Sequence, residues 1–403
     1  MRSRTSSSGT DALRDAQNFS LVLGGPTFQL LCKAHLSDDA LMYVWQRAIV
    51  ISLFAWLPLL VLSAVHGDLV GHHVAVPFLL DMEVHIRFLV AVPLLIVAEL
   101  VVHRRLHRVA LAFLDRNLIP QAAMPRFDHA LTAAYRLRNS VAAELVLFVL
   151  VYGVGVQIIW RHLTALDAAT WYVTSSAAGS KLLPAGIWYG YFSLPLFQFL
   201  LLRWYFRLFI WAQFLWRVSQ IELSLVPTHP DRVGGLGFLS RTVYAFAVLL
   251  VAHGAMVAAQ LADRILYLGA ALSVFEGEIV VMVIFLLCVV FGPLLVFAPQ
   301  LAAAKRAGLD EYGSLAERYV REFDVKWLHG NGPRAEPLVG SADIQSLADL
   351  DSSYEIVRTM RWAPISRQAV LELTAAVLVP IAPLLLTVMP LEALFHKLLG
   401  VLF

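Results

Sequence analysis

The stretch VPTHPDRVGGLGF at 226–238 holds the residue types best suited to chemistry. Pro227 and Pro230 stop a helix, because proline lacks the donor that a helix interior needs. Gly234, Gly235 and Gly237 admit positive φ and leave backbone N–H groups bare just before the next apolar segment. Bare amides at a helix start favour an anion, and Arg232 and Arg241 would add positive charge. His229, Asp231, Arg232, Gly234, Gly235 and Arg241 are therefore candidate ligands for a phosphate, a lipid headgroup or a carboxylate. His229 with Asp231 also suits a metal or a proton relay, but two ligands are too few unless others converge. A rigid turn between two spans explains the same residues with no ligand at all. The GxxxxGK[ST] run is missing, so this is no nucleotide-binding loop.

A second constellation is Glu99, Glu144, Arg203 and Arg207. Each is expected about one turn inside the rim of an apolar span, where a charge is costly unless paired or wetted. The four are expected to form a buried ionic cluster closing one end of a helix bundle, either as a gate or ion-binding region or as structural pairing and snorkelling. The mid-span His253 could carry protons or bind haem, or simply hydrogen-bond a neighbouring helix. His66, His72, His73 and His85, with Asp68, Asp81 and Glu83, crowd one loop. Their types suit Zn²⁺ or Cu²⁺, but their spacing matches no clamp. GxSxG, HExxH and CxxC are all absent. No catalytic residue, metal or cofactor is expected, and the chain reads as a non-enzyme.

The elements that must position these residues are membrane spans. Of the 403 residues, 59% are hydrophobic and 15% charged, with a mean hydropathy of +0.71. A soluble domain carries about 25% charged residues, so lipid is the expected solvent. The expected architecture is an all-α transmembrane bundle of about seven spans, at 48–65, 84–102, 141–160, 187–225, 243–262, 279–297 and 369–389. Amphipathic cytoplasmic helices accompany it. The expected divisions are a segment 1–47, a six-span bundle 48–299 with loops 103–140 and 203–241, a helical segment 300–367, and a last span with an amphipathic tail at 368–403. The stretch 21–46 reads as lying on the membrane surface. Cys32 and Cys288 fall in different compartments, which argues against a disulfide.

The segment 187–224, as one helix, would be roughly 57 Å long against a hydrocarbon core of about 30 Å. Arg203 and Arg207 would reach the headgroups, so the remainder is expected to leave the bilayer and pack on other amphipathic segments. In 300–367, Leu315, Tyr319, Phe323 and Trp327 share a helix face, with Glu317–Arg321 and Glu322–Lys326 pairing opposite. The segments 1–47, 103–140, 203–241 and 299–367 hold 26 of the 31 Lys and Arg residues. That asymmetry places them, and the N-terminus, in the cytoplasm, and seven spans would leave the C-terminus outside. The basic run 104–138 suits anionic lipid headgroups rather than nucleic acid.

Three stretches, FLLDMEVHIRFLVAVPLLIVAEL (78–100), PTHPDRVGGLGF (227–238) and GSADIQSLADLDSSYEIVRTMRWAPIS (340–366), together resemble a bacterial multi-pass inner-membrane protein family with no assigned activity. The resemblance implies a bacterial inner membrane and carries over no catalytic residue. The functional expectation is a channel- or transporter-like protein for a small solute or ion, with a second copy of the chain as a candidate partner in a homo-oligomer. The alternatives are a scaffold or sensor with a cytoplasmic partner-binding platform, and a lipid-acting enzyme at the His229/Asp231 loop.

Overall fold

The computed structural model describes residues 19–33, 43–70, 74, 76–160, 170–176, 179–329 and 340–387. The chain is a helical bundle. Five of its helices are long and apolar enough to cross a membrane, and six if the bent pair Gln121–Arg138 and Val141–Gln157 is one span. A short segment α1 (Pro26–Lys33) precedes α2 (Val44–His66) and α3 (Met82–Asp115). Then come α4 (Met124–Arg138) and α5 (Val141–Leu150), which runs on as wide π turns through Val151–Trp160. A small antiparallel hairpin, β1 (Val173–Ser176) with β2 (Gly179–Leu182), pairs Val173 with Leu182 and leads into α6 (Pro184–Ser219). The chain continues through α7 (Leu236–Tyr267), α8 (Leu272–Leu328), α9 (Ala342–Arg358) and α10 (Arg367–Leu378).

Apolar sequence makes these helices, and prolines shape them. Pro93 and Pro195 each follow a π turn, at Arg87–Ala91 and Tyr189–Ser193. A proline withholds one donor and crowds the carbonyl four residues back, and a widened turn relieves both. Small residues let the backbones close up: Ala55 and Ser63 of α2 and Ala91 and Ala98 of α3 are fully buried. The opposite face of α2 exposes Ile49, Leu53, Phe54, Leu57 and Val61, as α5 exposes Leu145, Val146 and Phe148. Apolar belts of this kind are stable only against lipid.

Four sequence expectations change. The stretch from Phe19 to Lys33 does not lie flat on a surface. Phe19, Leu21 and Val22 are buried, and the Phe19 ring lies 4.8 Å from that of Phe214. The long helix α6 is unbroken past Arg207 but ends at Ser219, short of Leu225. Its last turns bury Trp211, Phe214 and Val218 next to the buried face of α4. The proposed division at 299/300 falls inside α8, whose 57 residues would extend roughly 85 Å. Within the last expected span, 369–389, the described residues form a 12-residue helix followed by a 3-10 run at Ala382–Thr387, and that helix is too short to cross a membrane by itself. Residues 388 onward, including the amphipathic tail, lie outside the described residues.

Candidate functional site

The expected ionic cluster is built around Glu99, in the middle of α3, with side-chain exposure of 6%. One carboxylate oxygen accepts from Nη2 of Arg207 on α6 at 2.6 Å. The other accepts from Nη2 of Arg47, near the start of α2. Arg207 also stacks over Trp204 at 4.9 Å. Arg203, one turn earlier on α6, stands 3.8 Å from Glu144 of α5 and lies within electrostatic reach of Glu99. Glu144 in turn accepts from the backbone N–H (2.8 Å) and hydroxyl (2.5 Å) of Thr27. Glu99, Glu144, Arg203 and Arg207 thus do meet, and α2, α3, α5, α6 and the N-terminal segment are tied at one point. The sequence reading missed two members. Arg47 looked like the last cytoplasmic residue before a span, and Thr27 looked like surface.

The cluster is closed. Arg47, Glu99, Arg203 and Arg207 are each at most 5% exposed. Three guanidiniums face two carboxylates, a net charge of +1 with all ionised. A cavity of about 690 Å³ lies instead between α6 and α8, lined by groups such as Leu208, Phe209, Trp216 and Val296. Glu99, Glu144 and His253 do not line it.

The 226–238 loop is a knot centred on Asp231. Its Oδ1 accepts from the amides of Val233 (2.9 Å) and Gly235 (3.2 Å), and its Oδ2 from that of Gly237 (2.8 Å). The amides expected to cradle an external anion are therefore occupied by the chain's own carboxylate. This corrects the anion-site expectation for Gly235 and Asp231, whose amide and carboxylate bond each other, while Gly234 gives its carbonyl to the Val226 amide. Burial works against the charge on Asp231, but the three amide bonds and His229 outweigh it and hold the carboxyl below its ordinary range. Gly234 and Gly235 take φ of +63° and +99°, and a Cβ on Gly237 would fall 2.8 Å from Asp231 Oδ2. Arg232 itself adopts φ +57°. Its side chain is exposed, and Arg241 faces a different cavity, beside Arg105 and Arg108.

Arginines from elsewhere fasten the knot. Arg361, in the MRWAPIS stretch, donates its amide to the Arg232 carbonyl (2.8 Å) and Nη2 to that of Asp231 (3.1 Å). Arg116 donates to the carbonyl of Gly235 (2.9 Å). Ser240 donates to the Pro364 carbonyl (2.8 Å), and Lys305 of α8 to that of Met360 (2.9 Å). The only available signal for Arg361 was its place before Trp362-Ala363-Pro364, a segment that cannot be helical.

His229 Nδ1 sits 2.9 Å from Asp231 Oδ1 and 3.2 Å from the Asp231 amide, so its tautomer selects one of the two. Among the described residues, no group of three or more His, Cys, Asp or Glu side chains is placed to hold a metal ion. His85 accepts from Trp56 Nε1 (2.9 Å), and Asp81 accepts from Trp171 Nε1 (2.9 Å) and the Val84 amide (3.0 Å). His72 and His73 lie outside the described residues. His253 Nδ1 faces the Leu249 carbonyl at 2.8 Å and must donate there. Its Nε2 therefore accepts from the Tyr205 hydroxyl, also at 2.8 Å, pinning α7 to α6.

At the other end of the bundle, Arg87 bonds Glu83 and the Tyr189 hydroxyl, joining the two π turns. Asp263 of α7 accepts from the amides of Met82 (3.1 Å) and Glu83 (2.9 Å), capping α3 from outside it. Between the two polar ends the core is dry, with Ala55, Phe88, Ala91, Val92 and Leu95 at 0–1% exposure.

Comparison of the chain with protein-family models, curated proteins and solved structures gives no match in any of the three.

Proposed function

We propose that this chain is a membrane-embedded scaffold whose cytoplasmic helices present a docking platform. The observation that carries the reading is the closure of the bundle at Glu99. A conduit needs a wetted path, whereas the ionic cluster is sealed and the segment beyond it is packed with apolar side chains. The cluster's net positive charge further opposes passage of a cation.

The platform is the hairpin of the distal part of α8 with α9. Asp343 joins its arms, accepting from Lys326 Nζ (2.7 Å) and Trp327 Nε1 (2.9 Å), while its carbonyl accepts from the Tyr319 hydroxyl (3.1 Å). Lys326 thus pairs across the hairpin with Asp343, and Glu317 pairs with Arg321. Leu315, Val320, Val325, Leu328 and Ile344 remain exposed, Leu328 at 71%. Away from lipid, such a surface suits an apolar partner face, supplied by another protein or by a second copy of the chain. The charge asymmetry supports a membrane setting with this platform and the N-terminus on the cytoplasmic side; the bacterial inner membrane is what the resemblance noted above implies.

The test combines flux with crosslinking. Reconstituted wild type and Glu99→Gln should conduct no ion across a broad panel. A photo-crosslinker at Val325 should give one discrete adduct in cells, lost in Leu328→Asp. Flux in either protein, or no adduct, would overturn the scaffold reading. A dimer-sized adduct identifies the partner as a second copy. A gated conduit is the second reading, favoured by one observation: polar clusters stand at both ends of the dry core, as closed gates would.

A further inference from the structure

Five arginines of the bundle have assigned partners: Arg47 and Arg207 share Glu99, Arg87 holds Glu83, and Arg116 and Arg361 hold carbonyls. Arg105, Arg108 and Arg241 differ. They line one cavity of about 270 Å³, where the basic end of α3 meets the first turns of α7. Among the described residues none of the three lies in an ion pair with a carboxylate; the one side-chain bond there runs from Arg108 to the neighbouring His107 (3.3 Å). All three are exposed at the mouth of this hollow, so water and salt screen their mutual repulsion, and an anion seated among them would take the place of that solvent.

The rest of the cavity says which anion. Val109, Ala112 and Phe238 give it an apolar wall, which a free inorganic ion would not use. The cavity sits where two spans meet the headgroup layer, and its volume suits a headgroup with its glycerol rather than a whole lipid. A single phosphodiester offers one charge to three guanidiniums. A phosphomonoester approaches −2 and offers more oxygens to the planar forks. We propose that Arg105, Arg108 and Arg241 form a binding site for the headgroup of an anionic phospholipid carrying two negative charges, with Val109, Ala112 and Phe238 receiving its glycerol end. The site rests on the membrane reading of the chain and is independent of the scaffold reading.

The full chain, delipidated in zwitterionic detergent, is titrated with phosphatidic acid, with phosphatidylglycerol and with inorganic phosphate. Native mass spectrometry counts the bound lipid. One saturable phosphatidic acid is expected, held at least about tenfold tighter than phosphatidylglycerol. Inorganic phosphate at equal concentration should not displace it. The double variant Arg105→Gln, Arg241→Gln should bind about tenfold more weakly or worse. Arg306→Gln, which removes the same charge from an exposed position outside the cavity and outside the 104–138 run, should bind like wild type. If the double variant melts early, Arg241→Lys keeps the charge, loses the fork and should still weaken binding several-fold. Wild-type affinity in a folded double variant, equal loss in Arg306→Gln, or displacement by inorganic phosphate would each overturn the proposal.

Discussion

Glu99 and Asp231 are both carboxylates held by several donors, yet they do different things. Glu99 neutralises two buried arginines from separate helices, so its loss strands their charge. Glu99→Gln is expected to cost about 3–5 kcal/mol, read as a fall in melting temperature in detergent. Adding Arg207→Met should recover part of that loss, because the remaining amide then faces a single guanidinium. Asp231 instead replaces the missing backbone partners of a loop. Its folded pKa lies below the ordinary aspartate value, so its stabilising contribution is present above the unfolded pKa and lost as pH falls through the folded one. Asp231→Asn can satisfy amides with only one oxygen, and the Gly237 amide would then face an NH2 group. That variant should be less stable at neutral pH and lose less further stability than wild type when acidified below about pH 4. Equal acid sensitivity in the two proteins would refute the assignment.

At the scale of elements, close approach matters more than side-chain chemistry. The carbonyl of Val377 in α10 lies 2.1 Å from the position a Cβ would take on Gly254 of α7. Gly254→Ala should push α10 away and cost about 1–3 kcal/mol in a thermal melt. Gly277, at the start of the α8 apolar stretch, has open space around it. Gly277→Ala should be neutral or stabilising by up to about 1 kcal/mol. The existence of α2, α3, α7 and the apolar part of α8 was legible from unbroken apolar runs, but α3 (Met82–Asp115) and α7 (Leu236–Tyr267) run well past the expected 84–102 and 243–262. The end of α6 was not legible either. Its sequence stays helix-compatible to Leu225, and what stops it at Ser219 is tertiary: Gln300 Nε2 takes the carbonyls of Ser219 and Ile221, both at 2.6 Å. The packing of 19–33 was equally invisible, since an amphipathic stretch suits a membrane surface and a bundle floor alike.

Across the whole molecule, buried charged groups stand at both ends of the apolar core, and the distal part of α8 pairs with α9. Accessibility labelling from either side of oriented vesicles should find 104–140 and 300–367 on the same face, because Arg116 bonds the 226–238 knot and α8 bonds Met360 and the end of α6 there. Labelling on opposite faces would dismantle this layout. Sequence alone determined the solvent: with so few charges and such long apolar runs, burying the helices requires lipid. It also brought Glu99, Glu144, Arg203 and Arg207 to similar depth, because helix rise converts residue number into height. Only the tertiary structure decided which charges pair, and that Asp231 fills the amide cradle its own loop creates. Depth along a span follows from counting residues, whereas partners across helices depend on rotation and crossing, and a single sequence does not encode these locally.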